Sequence, residues 1–543
     1  MISKDENGEY AYKDMEPNNA DYHDYLERII NDGDRVSMDR KTYLEASLIY
    51  NRTFGSHAIG GLFLYNQSDQ QFPTETNLYK SVPMRTQGIT GRTSYSFIDK
   101  YFAEFNFGYN GSENFMKGNR YGFFPAFAIG WVPTKESFMD FLKPEIEYMK
   151  IRVSHGMVGN DNLYDSSGNR QRFVYMTRVE QISSNVGFGT NNGYGYGSGK
   201  GINFTYYGNP KALWEKAVKS DIGIEVNFLK DFNLQLDFFR ERRSNIWTQV
   251  AKTPDIFGFS VNPYDNVGEM KNKGFDGFLE YIKSVNKDLS FNAKATFSFA
   301  RNTILANGEE TKKYAYQSQI GQPYNSLLGY VTDGYFIDDA HVAASPSQRA
   351  IAGTDPGAGD IKYKDINNDG VIDEFDRVFM GYPSIPEVTY GLGLGTVYKG
   401  FDFSVLFQGA DRVSFFAVPI TFEMENRGNI YTFIEGNYWT EENPDLRAKF
   451  PRLGIGNQKN NYAESDKWLQ NERYIRLKQA ELGYSLPSEK MKNWGIGSVR
   501  FYTNGVNLFT WSPFKWWDAE SKNKTGAYYP IQMIVNLGVE VKF

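Results

Sequence analysis

Apolar and polar residues alternate along much of this chain, with the period of two that is typical of a β-strand with different surroundings on its two faces. The carboxyl-terminal segment shows the pattern clearly. Val535, Leu537, Val539, Val541 and Phe543 fall on one face, and polar residues or glycine fall on the other. In a soluble sheet, an exposed edge ending in apolar residues would invite aggregation. The wall of a membrane barrel avoids this, because lipid covers one face and a wet lumen the other.

The same alternation recurs in neighbouring segments that a short turn could join into hairpins. Residues 222–228 and 232–238 form one such pair, and residues 387–399 and 401–412 form another. Counting all such segments predicts about fifteen strands. They cover residues 42–53, 57–68, 83–97, 101–112, 120–133, 146–158, 213–229, 232–246, 270–284, 288–302, 387–399, 401–412, 472–486, 498–511 and 531–543.

The connections between these strands are of two kinds. Short ones lie near residues 54–56, 98–100, 229–231, 285–287 and 399–400. Long ones, rich in Gly, Asn, Asp and Tyr, cover residues 159–212, 303–386, 413–471 and 512–530. Short turns on one side and long loops on the other are the asymmetry of an outer-membrane barrel. The predicted fold is therefore an all-β transmembrane antiparallel barrel, with short periplasmic turns and long external loops.

Composition supports this class of fold. Aromatic residues make up 16% of the 543 residues, yet the mean hydropathy is −0.54 and 23% of residues are charged. No stretch approaches the roughly 20 apolar residues that a spanning helix requires. Cysteine is absent, which excludes disulfides and thiolate chemistry. The net charge of −6 gives no reason to expect a nucleic-acid partner.

The order of the connections also predicts what surrounds the chain. If Phe543 ends on the periplasmic side, the first predicted strand descends from outside, and residues 1–41 form an external loop segment. An intact barrel has an even number of strands and both ends in the periplasm. We therefore expect residues 42–543 to be the C-terminal part of a barrel whose first strands, in odd number, precede this chain. The acidic start Met1-Ile2-Ser3-Lys4-Asp5-Glu6 is not a signal peptide.

Several motifs resemble those of the SusC/RagA family of TonB-dependent outer-membrane transporters of Gram-negative Bacteroidota. Together they extend over most of residues 85–543. They include Arg120-Tyr121-Gly122-Phe123-Phe124-Pro125 with Gly130-Trp131, Lys150-Ile151-Arg152, the run from Gly359 to Gly370, Tyr474-Ile475-Arg476-Leu477-Lys478, and Leu482-Gly483-Tyr484. The last eight residues also resemble the signal that the barrel-assembly machinery reads.

This resemblance implies a barrel of about 22 strands, of which about fifteen lie in this chain. It implies a plug within the N-terminal portion of the same barrel, energy coupling through the TonB complex, and a SusD-like surface lipoprotein over the external face. The implied function is import of oligosaccharides, or of peptides, across the outer membrane of a Gram-negative bacterium. A passive porin or an adhesive barrel is the alternative from another class. A siderophore or cobalamin receptor is disfavoured by the motifs around Arg120 and Asn367.

Residues 365–376 have the spacing of a calcium-binding loop. Six residues would supply oxygen ligands, with Val371 using its carbonyl and Gly370 permitting the sharp turn. The candidate ligands are Asp365, Asn367, Asp369, Val371, Asp373 and Asp376. Aspartate at the last position is shorter than the usual glutamate. The alternative is an Asx-rich turn that enters a strand.

Aromatic residues in the long connections are candidates for contact with a substrate or with the lipoprotein lid. They are Trp516, Trp517, Tyr528, Tyr529, Tyr194 and Tyr196. Exposed ring faces can stack on sugars, but aromatic residues also form the interfacial girdle of every such barrel. His155 lies within a strand, where we expect it to face the lumen. No nucleophile and base occur in a catalytic arrangement, so no enzymatic activity is predicted.

Overall fold

The computed structural model describes most of the chain in a single antiparallel sheet and the connections above it. The described residues are 2–4, 10–12, 38–73, 78–165, 167–186, 199–251, 256, 258–419, 430–454, 458–487, 495–521 and 524–543. Residues 1–41, predicted to form an external loop segment, lie largely outside this part of the chain. Among the described residues, no helix is long and apolar enough to cross a membrane.

Fifteen antiparallel strands form one sheet in which every strand pairs with its neighbours in chain order, as predicted. The strands are β1 Arg40–Phe54, β2 His57–Gln71, β3 Met84–Phe97, β4 Tyr101–Ser112, β5 Tyr121–Trp131, β6 Ile146–Asn160, β7 Glu215–Phe228, β8 Phe232–Gln249, β9 Tyr264–Asn286, β10 Leu289–Ala306, β11 Val388–Tyr398, β12 Phe401–Asp411, β13 Tyr474–Ser485, β14 Ser498–Trp511 and β15 Ile534–Lys542. The predicted β-barrel fold class is confirmed. Strand β9 begins six residues earlier than predicted, because its polar start continues the ladder as far as Gln249 of β8.

The two faces of the sheet carry different chemistry, as the alternation predicts. On one face Ile222 of β7 lies opposite Phe238 of β8, and both are about half exposed, as lipid-facing residues are in an isolated chain. On the other face Gly223 lies opposite Asp237, which forms an ion pair with Arg152 at 2.6 Å. This charged face lines the lumen.

His155 does not face the lumen, contrary to the expectation from sequence. It is paired in register with Ser220, two residues from the lipid-facing Ile222, and it shares a face with the exposed Phe127. Its Nδ1 lies 2.9 Å from the Ser220 hydroxyl. The error arose because a polar residue was assumed to be lumen-facing, although alternation from Arg152 places position 155 outside.

Gly538, in the closing strand β15, lies on the lumen face opposite Tyr502 of β14. A Cβ atom at position 538 would lie only 2.3 Å from Cζ of that ring. Glycine is thus required here so that the tyrosine can lie flat on the wall. The outward residues of β15 are exposed, and Leu537 retains 86% of its accessible surface.

The connections alternate in length along the sheet. At the periplasmic end they cover 55–56, 98–100, 132–145, 229–231, 287–288, 399–400 and 486–497. Several are tight turns with consecutive residues at positive φ, such as Leu229 and Lys230, as type I′ hairpin turns require. At the opposite end they cover 72–83, 113–120, 161–214, 250–263, 307–387, 412–473 and 512–533.

Among the described residues, the segment before β1 contains the strands Ile2–Lys4 and Tyr10–Tyr12. The connections contain further elements outside the sheet. Their strands are Leu163–Tyr164, Arg170–Gln171, Arg178–Val186, Gly199–Tyr206, Leu327–Gly329, Thr332–Tyr335, Ile361–Tyr363, Val378–Met380, Ser414–Phe416 and Leu469–Asn471. Their α-helical turns are Leu78–Ser81, Asp339–Ala343, Arg349–Ala352 and Lys459–Tyr462. Their 3₁₀ turns are Pro133–Lys135, Ser137–Leu142, Ala315–Gln317, Glu374–Asp376 and Ala519–Ser521.

Two external connections that are far apart in the sequence, 307–387 and 412–473, fold together into one hydrophobic unit. We call it the outer-loop core. Its buried members are Tyr330, Tyr335, Ile361, Tyr363, Ile372, Phe416, Val418, Ile434, Trp439, Ala448, Phe450 and Trp468. Gly359 has φ +80 and lets the Trp439 ring approach to 2.1 Å from where a Cβ would stand. The long loops are therefore packed structures with an interior of their own.

Replacing Trp468 by alanine should open the outer-loop core and leave the sheet intact. Its side chain is fully buried, and its indole N–H donates to the Asn461 carbonyl at 2.8 Å. A loss of about 3–5 kcal/mol in the stability of the loops is expected from truncating a buried tryptophan. Faster amide hydrogen exchange across 327–380 and 434–469 would measure it. The exposed Trp511→Ala is the control, and equal exchange in both variants would contradict this packing.

Candidate functional site

The external face is the candidate functional site, and an ion pair with a buried carboxylate stabilises it. Arg452 Nε lies 2.6 Å from Asp360 Oδ1, and its second nitrogen lies 2.9 Å from Oδ2. Asn461 donates to the same carboxylate at 2.8 Å. The hydrogen bond to Asp360 raises the pKa of the Arg452 guanidinium. A buried aspartate requires such complete pairing, because an uncompensated charge away from water is costly.

A buried glutamine joins the same two connections through its amide group. Gln348 accepts a hydrogen bond from the Tyr363 backbone N–H at 2.6 Å. It donates to the Ile361 carbonyl at 3.0 Å and to the Asn460 side chain at 2.8 Å. Residues 348 and 460 are therefore held together although 112 positions separate them. Networks in which every polar group is satisfied favour one arrangement of a loop.

The Asp-rich loop 365–376 lies at the edge of the outer-loop core. Asp365 accepts hydrogen bonds from the backbone N–H groups of Asp369 (3.2 Å) and Gly370 (2.8 Å). Asn367 Oδ1 accepts from the Asp369 N–H at 2.9 Å. Gly370 has φ +85, so glycine suits the turn at that position. These contacts are those of an Asx-rich turn.

The end of this loop is more firmly held than its beginning. Asp376 is completely buried and accepts from the backbone N–H of Ile366 at 2.7 Å and of Asp373 at 2.9 Å. Asp373 in turn caps the 3₁₀ turn that contains Asp376. Ile372 anchors the loop by packing, fully buried, in the outer-loop core. These hydrogen bonds and the packing of Ile372 give the loop a defined shape.

The residues fit calcium in their chemistry, since carboxylate, amide and carbonyl oxygens are its usual ligands. Among the described residues, however, no group of three or more His, Cys, Asp or Glu side chains has the arrangement of a metal site. Lys313 lies nearby: a hydrogen bond with Tyr314 and, to a lesser extent, the charges of Asp369 and Asp373 raise the pKa of its amine. Calcium binding by the loop stays a prediction.

The two candidate tryptophans lie in packed aromatic clusters. The Trp516 ring stacks on Phe433, with centroids 5.3 Å apart and an interplanar angle of 9°. Trp517 contacts Phe514 edge to face at 5.0 Å. Both tryptophans are half-buried, and they join the connection 512–533 to the other external loops. Their first role in this structure is therefore packing between loops.

Tyr528 and Tyr529 are not members of these packed aromatic clusters. Tyr528 and Tyr529 keep 76% and 79% of their surface exposed, just before the lipid-facing strand β15. Tyr194 and Tyr196 lie outside the described residues. The six aromatic candidates thus do not form one surface in the part of the chain that the structure describes.

An arginine that sequence reasoning did not single out holds the connection 512–533 to the wall. Arg476, in β13, is 1% exposed. It pairs with Asp518 at 2.6 Å and with Glu520 at 2.6 Å, and its Nε donates to Thr510 at 2.9 Å. It belongs to the motif from Tyr474 to Lys478, but nothing in that motif indicates its partners, which lie 42 and 44 positions away.

The lumen wall beneath the loops is polar and contains a recess of about 720 Å³. Asp237, Asp276, Gln408 and Glu472 contribute to its lining. Closer to the periplasmic end, Arg500 forms ion pairs with Asp402 and with Glu481. The charged and amide groups of this wall suit water, a polar ligand or a polar protein surface.

Calcium should bind to the loop 365–376 in the purified protein and release measurable heat. The affinity should resemble that of weak extracellular sites, about 10⁻⁴ to 10⁻³ M, because aspartate is short at the last position. Asp369→Ala should abolish the heat. Asp355→Ala, which changes an exposed external carboxylate, should not. Identical titrations for wild type and Asp369→Ala would show that residues 365–376 form an Asx-rich turn and bind no calcium.

Removing both partners of Arg476 should release the connection 512–533. The double variant Asp518→Asn/Glu520→Gln leaves a buried guanidinium without a counter-charge, which costs about 3–5 kcal/mol. Hydrogen exchange across residues 512–521 should accelerate, while β13 and β14 stay protected. The matched control is Asp355→Asn, whose pair with Arg349 is largely exposed. Unchanged exchange in the double variant would show that packing alone holds the loop.

Comparison with known proteins agrees with this architecture. No protein-family model matches the chain. A TonB-dependent receptor of Formosa agariphila is 28% identical over 477 residues, which cover 83% of this chain and 46% of that receptor. The TonB-dependent receptor SusC of Bacteroides thetaiotaomicron is 26% identical over 467 residues, covering 83% of this chain and 43% of SusC. The chain thus spans about half the length of these curated relatives.

The fold has a close counterpart among solved structures. The RagAB peptide transporter superposes with a TM-score of 0.70 at 20% identity, over 93% of this chain and 56% of the matched chain. That likeness concerns the fold, while the sequence relatives are named as receptors. The predicted resemblance to the SusC/RagA family of TonB-dependent outer-membrane receptors is thereby confirmed, and the chain has the fold of an outer-membrane β-barrel.

Proposed function

We propose that this chain takes part in TonB-dependent import of nutrients across the outer membrane, most simply of oligosaccharides. The observation that carries the proposal is a polar lumen wall that continues into packed external loops. A wall of this kind can conduct a hydrated substrate, and the loops provide a structured external surface where it can first be held. The names of the relatives, which are receptors and transporters, support import over catalysis. Peptides are the second substrate class, since RagAB is named a peptide transporter.

We further propose that other strands complete the wall. Within the described residues, β1 and β15 are the edges of the sheet and each pairs with only one neighbour. All fifteen residues of β1 are exposed, including Leu48 at 72% and Ile49 at 66%, which point to opposite faces. An open sheet edge is not tolerated in lipid. Residues 42–543 would then be one part of a barrel, residues 1–41 an external segment, and the N-terminal portion the source of further strands and of a plug.

Two partners follow from the same proposal. A SusD-like surface lipoprotein would cover the external face, and the TonB complex would act from the periplasm through the plug. The support for both is the resemblance to SusC and RagAB. The packed outer-loop core is consistent with the first, because a lid needs a defined surface to close against.

Uptake by intact cells tests the proposal. Cells that express the full-length protein should accumulate labelled oligosaccharide, and accumulation should stop when a protonophore removes the energy source. Deleting tonB should have the same effect, with an unrelated porin substrate as the control. Uptake that survives both treatments would overturn energy-coupled import. Co-purification from detergent-solubilised outer membranes should recover a lipoprotein of SusD type.

Bilayer conductance separates an importer from a passive pore. The purified full-length protein should conduct little in a planar bilayer, because a plug would close the lumen. Steady, ungated conductance would contradict the proposal and favour the porin function. A passive pore would also leave uptake insensitive to the protonophore, so the two measurements check one another.

A further inference from the structure

A large cavity lies among the external connections, away from the outer-loop core. Its lining includes Phe72, Tyr79 and Val82 from one connection and Asp165 with residues between 169 and 180 from another, and its volume is about 1300 Å³. We call it the arginine cavity, since Arg170, Arg172 and Arg178 all line it. Pockets for single small molecules usually measure about 300–1,000 Å³, so this one has room for an oligomer. Nothing in the proposed function assigns a role to it.

Arg178 is held in this cavity by aromatic rings. Its guanidinium carbon lies 3.9 Å from the centroid of Tyr79 and 4.4 Å from that of Tyr206. One of its nitrogens donates to the Tyr79 hydroxyl at 2.7 Å. Among the described residues, no carboxylate forms an ion pair with it. The two rings fix the cation in place by cation–π attraction without neutralising its charge.

This arrangement differs from that of three other arginines in the chain. Arg452 pairs with Asp360, Arg476 with Asp518, and Arg243 with both Glu215 and Glu241. In each of these pairs a carboxylate of the chain satisfies the guanidinium. At Arg178, aromatic rings stand where the other arginines have a carboxylate, so the positive charge remains available to an anionic ligand.

Among the described residues, three arginines and two carboxylates line the cavity, so this lining carries a net charge of +1. Arg170 is exposed at its border, and Arg172 is buried, where it donates to the Val82 carbonyl at 2.5 Å. The two acidic lining residues are Asp165 and Glu180. Asp165 accepts from the Ser167 and Asn169 N–H groups at 2.9 and 2.8 Å and from the Gln171 amide at 2.8 Å. These hydrogen bonds hold the Asp165 carboxylate within its own turn.

The rest of the lining combines ring faces with hydrogen-bonding groups. Phe72 and Tyr175 contribute aromatic surface, and Asn169, Thr177 and Thr205 contribute amide and hydroxyl groups. A sugar ring has an apolar face bounded by hydroxyl groups, which matches such a lining. An acidic peptide would satisfy the charge but presents no comparable set of hydroxyl groups.

We propose that the arginine cavity binds an acidic oligosaccharide. A carboxylate or sulfate of the sugar lies near the guanidinium groups of Arg170 and Arg178, and its ring faces lie against the aromatic lining. This inference deepens the proposed function and rests on it for one point, that the cavity meets the external medium. The positive charge of the cavity thus indicates an acidic sugar as the substrate, or as the part of the substrate that binds first.

Calorimetry on the purified full-length protein tests the inference with three probes: oligogalacturonate, a neutral maltooligosaccharide of equal length, and an oligoglutamate peptide. Only oligogalacturonate should bind. The variant Arg170→Gln/Arg178→Gln should weaken that binding by about tenfold or more, as expected when charge-assisted hydrogen bonds are lost. Arg349→Gln, which changes an exposed arginine elsewhere on the external face, should stay within about twofold of wild type.

A second variant, which removes an aromatic ring of the cavity, distinguishes a loss of binding from a loss of folding. Tyr175→Ala preserves every cavity charge and should also weaken oligogalacturonate binding, while its hydrogen exchange outside the cavity remains that of wild type. Equal binding of the neutral sugar, stronger binding of oligoglutamate, or full affinity in the double arginine variant would each overturn the inference. Failure of uptake with intact calorimetric binding would instead refute import and leave the cavity assignment standing.

Discussion

The structure depends on one constraint: every backbone N–H and C=O group that lies in lipid must be hydrogen-bonded within the protein. The fifteen strands meet it by pairing each with the next in chain order, except at the outer edges of β1 and β15. The same constraint explains the alternation in sequence, since a strand between lipid and water must be apolar on one face only. At the periplasmic end, several neighbouring strands are joined by turns of two or three residues, as in β-hairpins.

The external connections are outside lipid and follow a different rule. They are too long to remain stable as extended chain, and they bury aromatic residues against one another. In the outer-loop core this burial brings Asp360 and Arg452 to one point, where each neutralises the other. Arg476 does the same between the wall and the connection 512–533. The external face is thus a second folded layer that stands on the ends of the strands.

The two layers differed in how well they could be predicted. Strand positions followed from a period of two, which each segment carries within itself, and all fifteen strands were found within a few residues. His155 shows the limit, because polarity suggested the lumen and only register with Ser220 placed it outside. In the loops, local spacing was enough to recognise the turn at 365–376, including its glycine at positive φ. The packing of Trp516 on Phe433 and the partners of Arg476 gave no local signal.

The sequence by itself determined the strands, the chemistry of each face, the inside-outside asymmetry of the connections and the family resemblance. These properties are encoded in neighbouring residues, because the alternation within a strand decides which residues face lipid and which face the lumen. Only the tertiary structure decided which loop residues meet, which tryptophans pack, and which arginines lack a carboxylate in the described part of the chain. Such contacts join positions up to more than one hundred residues apart, as Gln348 and Asn460 do. These contacts follow no periodic pattern in the sequence, because they depend on how the loops fold over the ends of the strands.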